Sequence, residues 1–271
     1  MGNYWSTEST ETTQVVTPKH VYGWKKDKEC NRDIFHDFIL HQSFDLIKKV
    51  DLRDKCPKVY NQGKLGSCTA NAIAAAYEFD EMFQGEENVF CPSRLFIYYN
   101  ERQMEGMVNE DNGAEIRDGI KTINDIGICS ETMWPYDITK FTEEPSKECY
   151  DAALNHKCVE YKRVYQSFDQ IKQCLLEGFP IVFGIAVYES FESEEVEKTG
   201  MVPMPKENEK MIGGHAILCV GFDEDRGIVY FRNSWGEEWG EKGYGYLPID
   251  YILNSELASD FWTLYKVNDT Y

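Results

Sequence analysis

At 271 residues, with 42% hydrophobic and 14% aromatic side chains, the chain is long enough for one large or two small domains with a proper core. Its 47 acidic and 28 basic residues leave a net charge of −19. That balance argues against nucleic acid or an anionic membrane surface as a partner; it suits basic substrates, or simply a well-solvated acidic surface. No stretch is apolar enough to span a membrane, and no internal repeat is visible.

The first twenty residues, MGNYWSTESTETTQVVTPKH, are polar and lack the charged start and apolar centre of a secretory signal, so an intracellular or virion-associated protein is expected. Gly2 and Ser6 fit an N-myristoylation pattern, although one acyl chain holds a protein at a membrane only reversibly. The segments from Val21 to Trp24 and from Asp33 to Leu40 carry enough apolar side chains to dock on the body of the chain. Next, Gly63 and Gly66 shape a tight turn into a helix with Cys68 in its first turn, continued by TANAIAAAYEFDEMF. Ala72, Ile73, Ala76, Phe79 and Phe83 keep the helical period, so this helix is expected to be central and buried. Free N–H groups and the dipole at a helix start favour a thiolate, which is a nucleophile once a base stands beside it. A buried structural thiol is the plainer role for the same residue.

CPSRLFIYYNERQMEG reads as a second helix, and NEDNGAEIRDGIKTINDIG as a loop opening a third with Asp111 or Asn112 near its start. A Pro-containing loop, WPYDITKFTEEPSKE, leads to a domain boundary near residue 160. Beyond it, a helix from Ser167 to Glu177 passes through Gly178 and Pro180 into the strand IVFGIAV. An acidic loop, ESFESEEVEKTG, comes next, then strands at Ala216 to Phe222 and Ile228 to Arg232. A helical half followed by a strand-rich half reads as α+β with a site in the groove between them. Cys149, His156 and Cys158 fit no zinc spacing and find no fourth ligand, so neither a metal nor another cofactor is expected.

Three motifs in order, QGKLGSC, GHA and RNSWGEEWGEKGYG, resemble those of the papain-like cysteine peptidases, the cathepsin family. The likeness extends more weakly from about Val50 to the C-terminus and is nearest to non-secreted microbial or viral members. It implies the papain-like two-lobed fold, with a helical lobe at 49–160 carrying the nucleophile. A β-barrel-like lobe at 161–271 would carry His and Asn, and residues 1–48 would form an N-terminal extension serving as propeptide or regulatory segment. By the same resemblance Cys68 is the nucleophile, His215 its base and later an acid, and Asn233 the acceptor that orients the imidazole. Gln62 would donate to the oxyanion together with the Cys68 N–H, and Trp235 would shield the Asn–His contact. Asn112 and Gly113 fall on the substrate cleft, where a bare glycine backbone pairs with an extended peptide. Gly214 and Trp235 are further substrate-binding positions, and the pocket floor falls near Ala258 to Asp260.

The implied activity is that of a thiol endopeptidase acting on proteins or peptides, with its own N-terminal segment docked near the cleft. No paired histidines of the kind that let cathepsin B trim dipeptides are present. The alternatives are a non-catalytic peptide-binding protein on the same fold, or a thiol acyltransferase or peptide ligase. Two departures from the family stand out. Leu65 replaces a cysteine commonly paired near the nucleophile, as a reducing compartment would have it, and the cysteine count is odd, at nine. Thr69 replaces an aromatic, which puts the wall of the site, and so its preference, in question.

Overall fold

The computed structural model describes residues 17–36, 46–85 and 89–267. Gly2 and Ser6, and the end of the Asp33–Leu40 segment, lie outside them. Helix α1, Cys68–Gln84, is built of strong helix formers and is buried along most of its length, as expected of a helix apolar on nearly all sides. Gly85 ends it at φ 76°, its N–H bonding back to the Glu81 and Met82 carbonyls. Ser93 caps α2, Arg94–Met104, by accepting from the Phe96 N–H. Helix α3, Ile116–Asp125, starts later than the sequence pattern suggested. Asp111 is taken up instead by the Gly66 N–H and the Tyr98 hydroxyl, so it braces a loop rather than capping a helix. The buried Arg102 guanidinium donates to the Val108, Glu110 and Phe141 carbonyls and lies over the Tyr98 ring, fixing the loop that carries Gly113. A short α4, Lys147–Ala153, completes the helical side.

The other side is one antiparallel sheet. Strands β4 (Cys158–Arg163), β5 (Ile181–Tyr188), β6 (Met211–Asp223), β7 (Ile228–Arg232), β8 (Tyr244–Pro248) and β9 (Ala258–Val267) run in the order β4-β9-β5-β6-β7-β8. Strand β2, Lys49–Asp51, adds a seventh member against β6. The barrel-like closure expected of this lobe is not seen: β4 and β8 end the sheet without pairing to each other. Helix α5, Phe168–Leu176, packs on the sheet, and the short α7, Ile249–Leu253, joins β8 to β9. The acidic stretch expected to be a loop contains helix α6, Glu194–Thr199. Ser193 caps its start and Gly200 its end, and acidic side chains in its first turn suit the dipole.

Two short strands, β1 (Trp24–Lys25) and β3 (Ala114–Glu115), pair in parallel and tie the N-terminal segment to the helical side. Further along the segment, a buried charge lattice fastens it to both halves. Arg117 and Arg163 share the Asp33 carboxylate at 2.5 and 2.8 Å, and Arg163 also reaches Asp260 at 2.7 Å. The Asp27 N–H donates to Asp260, while the Asp27 carboxylate accepts from the Arg117 N–H and the Trp262 indole. Asp260 holds φ 59°, a conformation costing a non-glycine residue about 1–3 kcal/mol, and this lattice is what over-determines it.

Candidate active site

Antiparallel pairing brings the key residues together. On β6, His215 faces Ile185 of β5, while Leu218 pairs with Arg232 at the end of β7, so Asn233 follows directly beside the imidazole. His215 Nε2 stands 2.8 Å from Asn233 Oδ1, and an N–H there donates to the amide oxygen. That leaves Nδ1 with the lone pair of a base, and it has no hydrogen-bond partner among the described residues. The Trp235 ring stacks 4.9 Å from the His215 ring, tilted by 25°, which keeps water off the His–Asn pair. Cys68 opens α1, and its sulfur faces the backbone N–H groups of Ala216, Gly23 and Thr69. The Gln62 side chain is locked, its Oε1 accepting from the Ser234 hydroxyl at 2.6 Å and its Nε2 donating to Leu65 at 2.9 Å. Tyr136 braces the same turn through the Gln62 carbonyl and the Ser67 hydroxyl.

The N-terminal segment runs through this site. The Gln62 amide donates to the Val21 carbonyl at 3.1 Å, so that carbonyl takes up one of the two donors expected to hold an oxyanion. Gly23 passes so close that a Cβ there would lie 1.7 Å from the Gly66 carbonyl oxygen. Its own carbonyl accepts from the Ala114 N–H at 2.8 Å, and a Cβ on Gly113 would lie 1.8 Å from that carbonyl. His20 stacks face to face on Trp235 at 3.7 Å, and the Tyr22 ring meets His215 edge-on at 5.9 Å. Trp24 fills a pocket roofed by Gly214 and backed by Gly184, where a Cβ would sit 1.9 Å from the indole. Beside it a cavity of about 330 Å³ is lined by Ala186, Gly213, Ala258 and Ser259.

This covering sets the electrostatics. Burial pushes the Cys68 thiol up to about 12, the surrounding N–H groups opposing it only in part. Burial likewise pulls His215 down to about 4 against the Asn233 bond, and the neighbouring His20 adds to the fall. A helix start by itself favours a thiolate; with the segment in place, loss of water outweighs the dipole and favours the neutral thiol and neutral imidazole.

The expected residues thus divide. Cys68, His215, Asn233, Gln62 and Trp235 gather at one point, with Gly113 and Gly214 along the groove. Asn112 is exposed, and its side chain turns away to the Glu110 carboxylate. Thr69 is no part of the cleft wall: it is buried and donates to Glu101 on α2. Ser234, quoted only as part of a motif, proves to hold the Gln62 amide in its orientation. Tyr98, on the second helix, likewise accepts from the Gly113 N–H and donates to Asp111. All nine cysteines are free.

Known proteins resemble the chain in sequence and in fold. The family model for papain family cysteine proteases matches residues 46–260. An uncharacterized peptidase C1-like protein of Acanthamoeba polyphaga mimivirus is 46% identical across 92% of this chain and 88% of its own. Peptidase 1 of Psoroptes ovis is 25% identical across 74% of this chain, which spans 61% of that longer protein. Among solved structures, xylellain, a cysteine protease from Xylella fastidiosa, superposes with a TM-score of 0.83 at 42% identity, covering 92% of this chain and 98% of that one. With motifs, site geometry and family match in agreement, this chain belongs to the papain family of cysteine proteases.

Proposed function

We propose that the chain is a cysteine endopeptidase made in a self-blocked form, with its N-terminal segment as the block. One observation carries the reading: the Val21 carbonyl rests on the Gln62 amide while the Gly23 N–H faces the Cys68 sulfur. A peptide therefore lies across the groups that the reading makes catalytic, which supports their use on a peptide bond. With the segment lifted, His215 Nδ1 takes the Cys68 proton, and the sulfur attacks a peptide carbonyl whose oxygen is held by Gln62 Nε2 and the Cys68 N–H. His215 then gives that proton to the departing amine, and a water molecule, deprotonated by the same nitrogen, hydrolyses the thioester.

The segment escapes this chemistry through its direction. The departing amine must meet His215, so the leaving half of a substrate lies against His215 and Trp235 and the acyl half along Gly113. The segment places residues 19–20 at Trp235 and residues 24–25 at Ala114–Glu115, so it runs the opposite way. The nitrogen following its Val21 carbonyl points toward the Gly113 side, where His215 cannot protonate it. Endopeptidase action is supported by the same path, because a chain enters at one end of the groove and leaves at the other.

The test is labelling with a thiol-directed peptidyl epoxide, read by intact mass, on the wild type, on Cys68→Ala and on a form beginning at Asp51, together with peptide cleavage in the presence and absence of an amine acceptor. One adduct that requires Cys68, forms faster without the segment and accompanies hydrolysis is expected. Transfer to the amine in place of hydrolysis points to an acyltransferase. No adduct, while small thiol reagents still reach Cys68, overturns the catalytic reading.

A further inference from the structure

The face of the groove against which the leaving half of a substrate must lie carries a charge with no partner of its own. Glu192 ends a short 3-10 turn, Glu189–Glu192, directly after Phe191. Phe191 is fully buried against Trp235 and Trp239, with ring centroids at 5.7 and 5.9 Å, so the backbone that presents Glu192 is anchored to the wall beside the catalytic imidazole. Among the described residues, every hydrogen bond to the Glu192 carboxylate comes from the blocking segment: the Lys19 N–H at 2.9 Å, the His20 N–H at 3.0 Å and the Tyr22 hydroxyl at 2.7 Å. Glu197, on the helix α6 that follows, meets the Lys19 ammonium at 3.3 Å. No cation outside the segment forms an ion pair with either carboxylate among the described residues. When the segment leaves, a carboxylate anchored through Phe191 to the Trp235 wall loses its donors, in a protein of net charge −19.

We propose that Glu192, seconded by Glu197, is a specificity-determining residue that selects a basic side chain within the first two residues on the leaving-group side of the scissile bond. The blocking segment supplies the precedent, since its lysine and backbone donors occupy this place. A lysine or arginine of a substrate restores the lost donors and neutralises the carboxylate, whereas a free chain terminus there sets a second carboxylate against it. The same charge therefore favours cutting inside a chain over trimming its C-terminal end. This inference rests on the peptidase reading above.

The experiment uses the full chain carrying Gly23→Ala, which lifts the segment, with matched fluorogenic peptides holding Arg, norleucine or Glu in the first two positions after the scissile bond, each with a free or an amidated C-terminus. The kcat/KM ratio of the Arg to the norleucine peptide, taken within each variant, is expected to be about five- to tenfold and to shrink with added salt. Glu192→Gln brings the ratio close to one, and Glu192→Arg turns the preference toward the Glu peptide, an inversion that a purely structural role does not produce. Amidation accelerates cleavage of short peptides in the Glu192 form and loses that effect in the Gln form. A ratio unchanged by both substitutions overturns the assignment while leaving the peptidase reading intact, because the norleucine peptide is still cut. Failure to cut any peptide overturns both.

Discussion

Gly23→Ala isolates the closure of the groove in a single methyl group. The new Cβ would lie 1.7 Å from the Gly66 carbonyl oxygen and 2.5 Å from its carbon. Ordinary contact begins near 3.4 Å, so one side has to retreat by more than 1.5 Å. Gly66 is not free to do so, because its N–H is held by Asp111 at 3.0 Å and its neighbours lead into helix α1. The segment must move, and with it go the Ala114-to-Gly23 bond at 2.8 Å and the Gln62-to-Val21 bond at 3.1 Å. Overpacking of this kind costs about 1–3 kcal/mol and each lost hydrogen bond about 1 kcal/mol, together about 3–5 kcal/mol. At 1.36 kcal/mol per decade, the open population rises by at least about 100-fold, up to the ceiling of a fully open groove. Epoxide labelling of Cys68 in the full chain should accelerate accordingly, with Cys68→Ala as blank and circular dichroism confirming an intact fold. A labelling rate within twofold of the wild type would refute the claim that this contact holds the segment down.

Other outcomes follow from the same geometry. Asn233→Ala removes the acceptor at His215 Nε2 and the Ser234 N–H contact, so in a Gly23→Ala background kcat/KM should fall about 10- to 100-fold with a smaller change in KM, as measured by steady-state cleavage. Ser234→Ala leaves Gln62 Oε1 unbound, and the loosened oxyanion donor should cost about tenfold in kcat, rescued in part by Ser234→Thr. Asp33→Asn leaves the buried Arg117 and the half-buried Arg163 without their shared partner, Arg163 keeping Asp260, and should destabilise the docked segment by about 3 kcal/mol, read as early protease cutting within residues 27–36. Acid should act in opposite senses on the two parts of the segment. Burial lowers His20, so its protonation weakens docking in the groove as pH falls below the ordinary histidine value of 6.5. Burial first, and the Asp260 charge second, raise Asp27 to about 7, so its proton uptake strengthens docking at the lattice as pH falls from 7 toward 4. Hydrogen exchange at pH 7.5 and 5.5, corrected for intrinsic rates, should show residues 19–25 loosening while 27–33 tighten; parallel behaviour would contradict this division.

Much of this site was legible because its chemistry lies in short local signals. The glycine turn before Cys68, the apolar run after His215 and the spacing of Asn233 and Trp235 each fix a backbone position, and antiparallel pairing does the rest. The limits of α1 and α5 were readable from Gly85 and Ser167, residues that satisfy helix ends by themselves. What escaped was set by distant partners. Asp111 reads as a helix cap until Gly66 and Tyr98 claim it, and Thr69 reads as a cleft wall until Glu101 draws it inward. The charge-rich stretch around Glu195 reads as loop because its apolar content is one buried Val196, too little for a period to show. The unclosed sheet depends on how β4 and β8 end, which strand propensity does not encode.

The segment is fastened twice, in the groove through residues 19–25 and at the charge lattice through residues 27–36, with only Lys26 between. A strand lifted from the groove but still held at the lattice stays within a few residues of its seat. Its effective concentration there is of the order of millimolar or higher. If the segment blocks the groove as proposed, opening is a reversible competition, which dilute substrates lose and abundant ones win, so apparent affinity would report the tether as well as the pocket. Only a cut in the short stretch between the two fastenings, or loss of the lattice, turns that competition into a commitment.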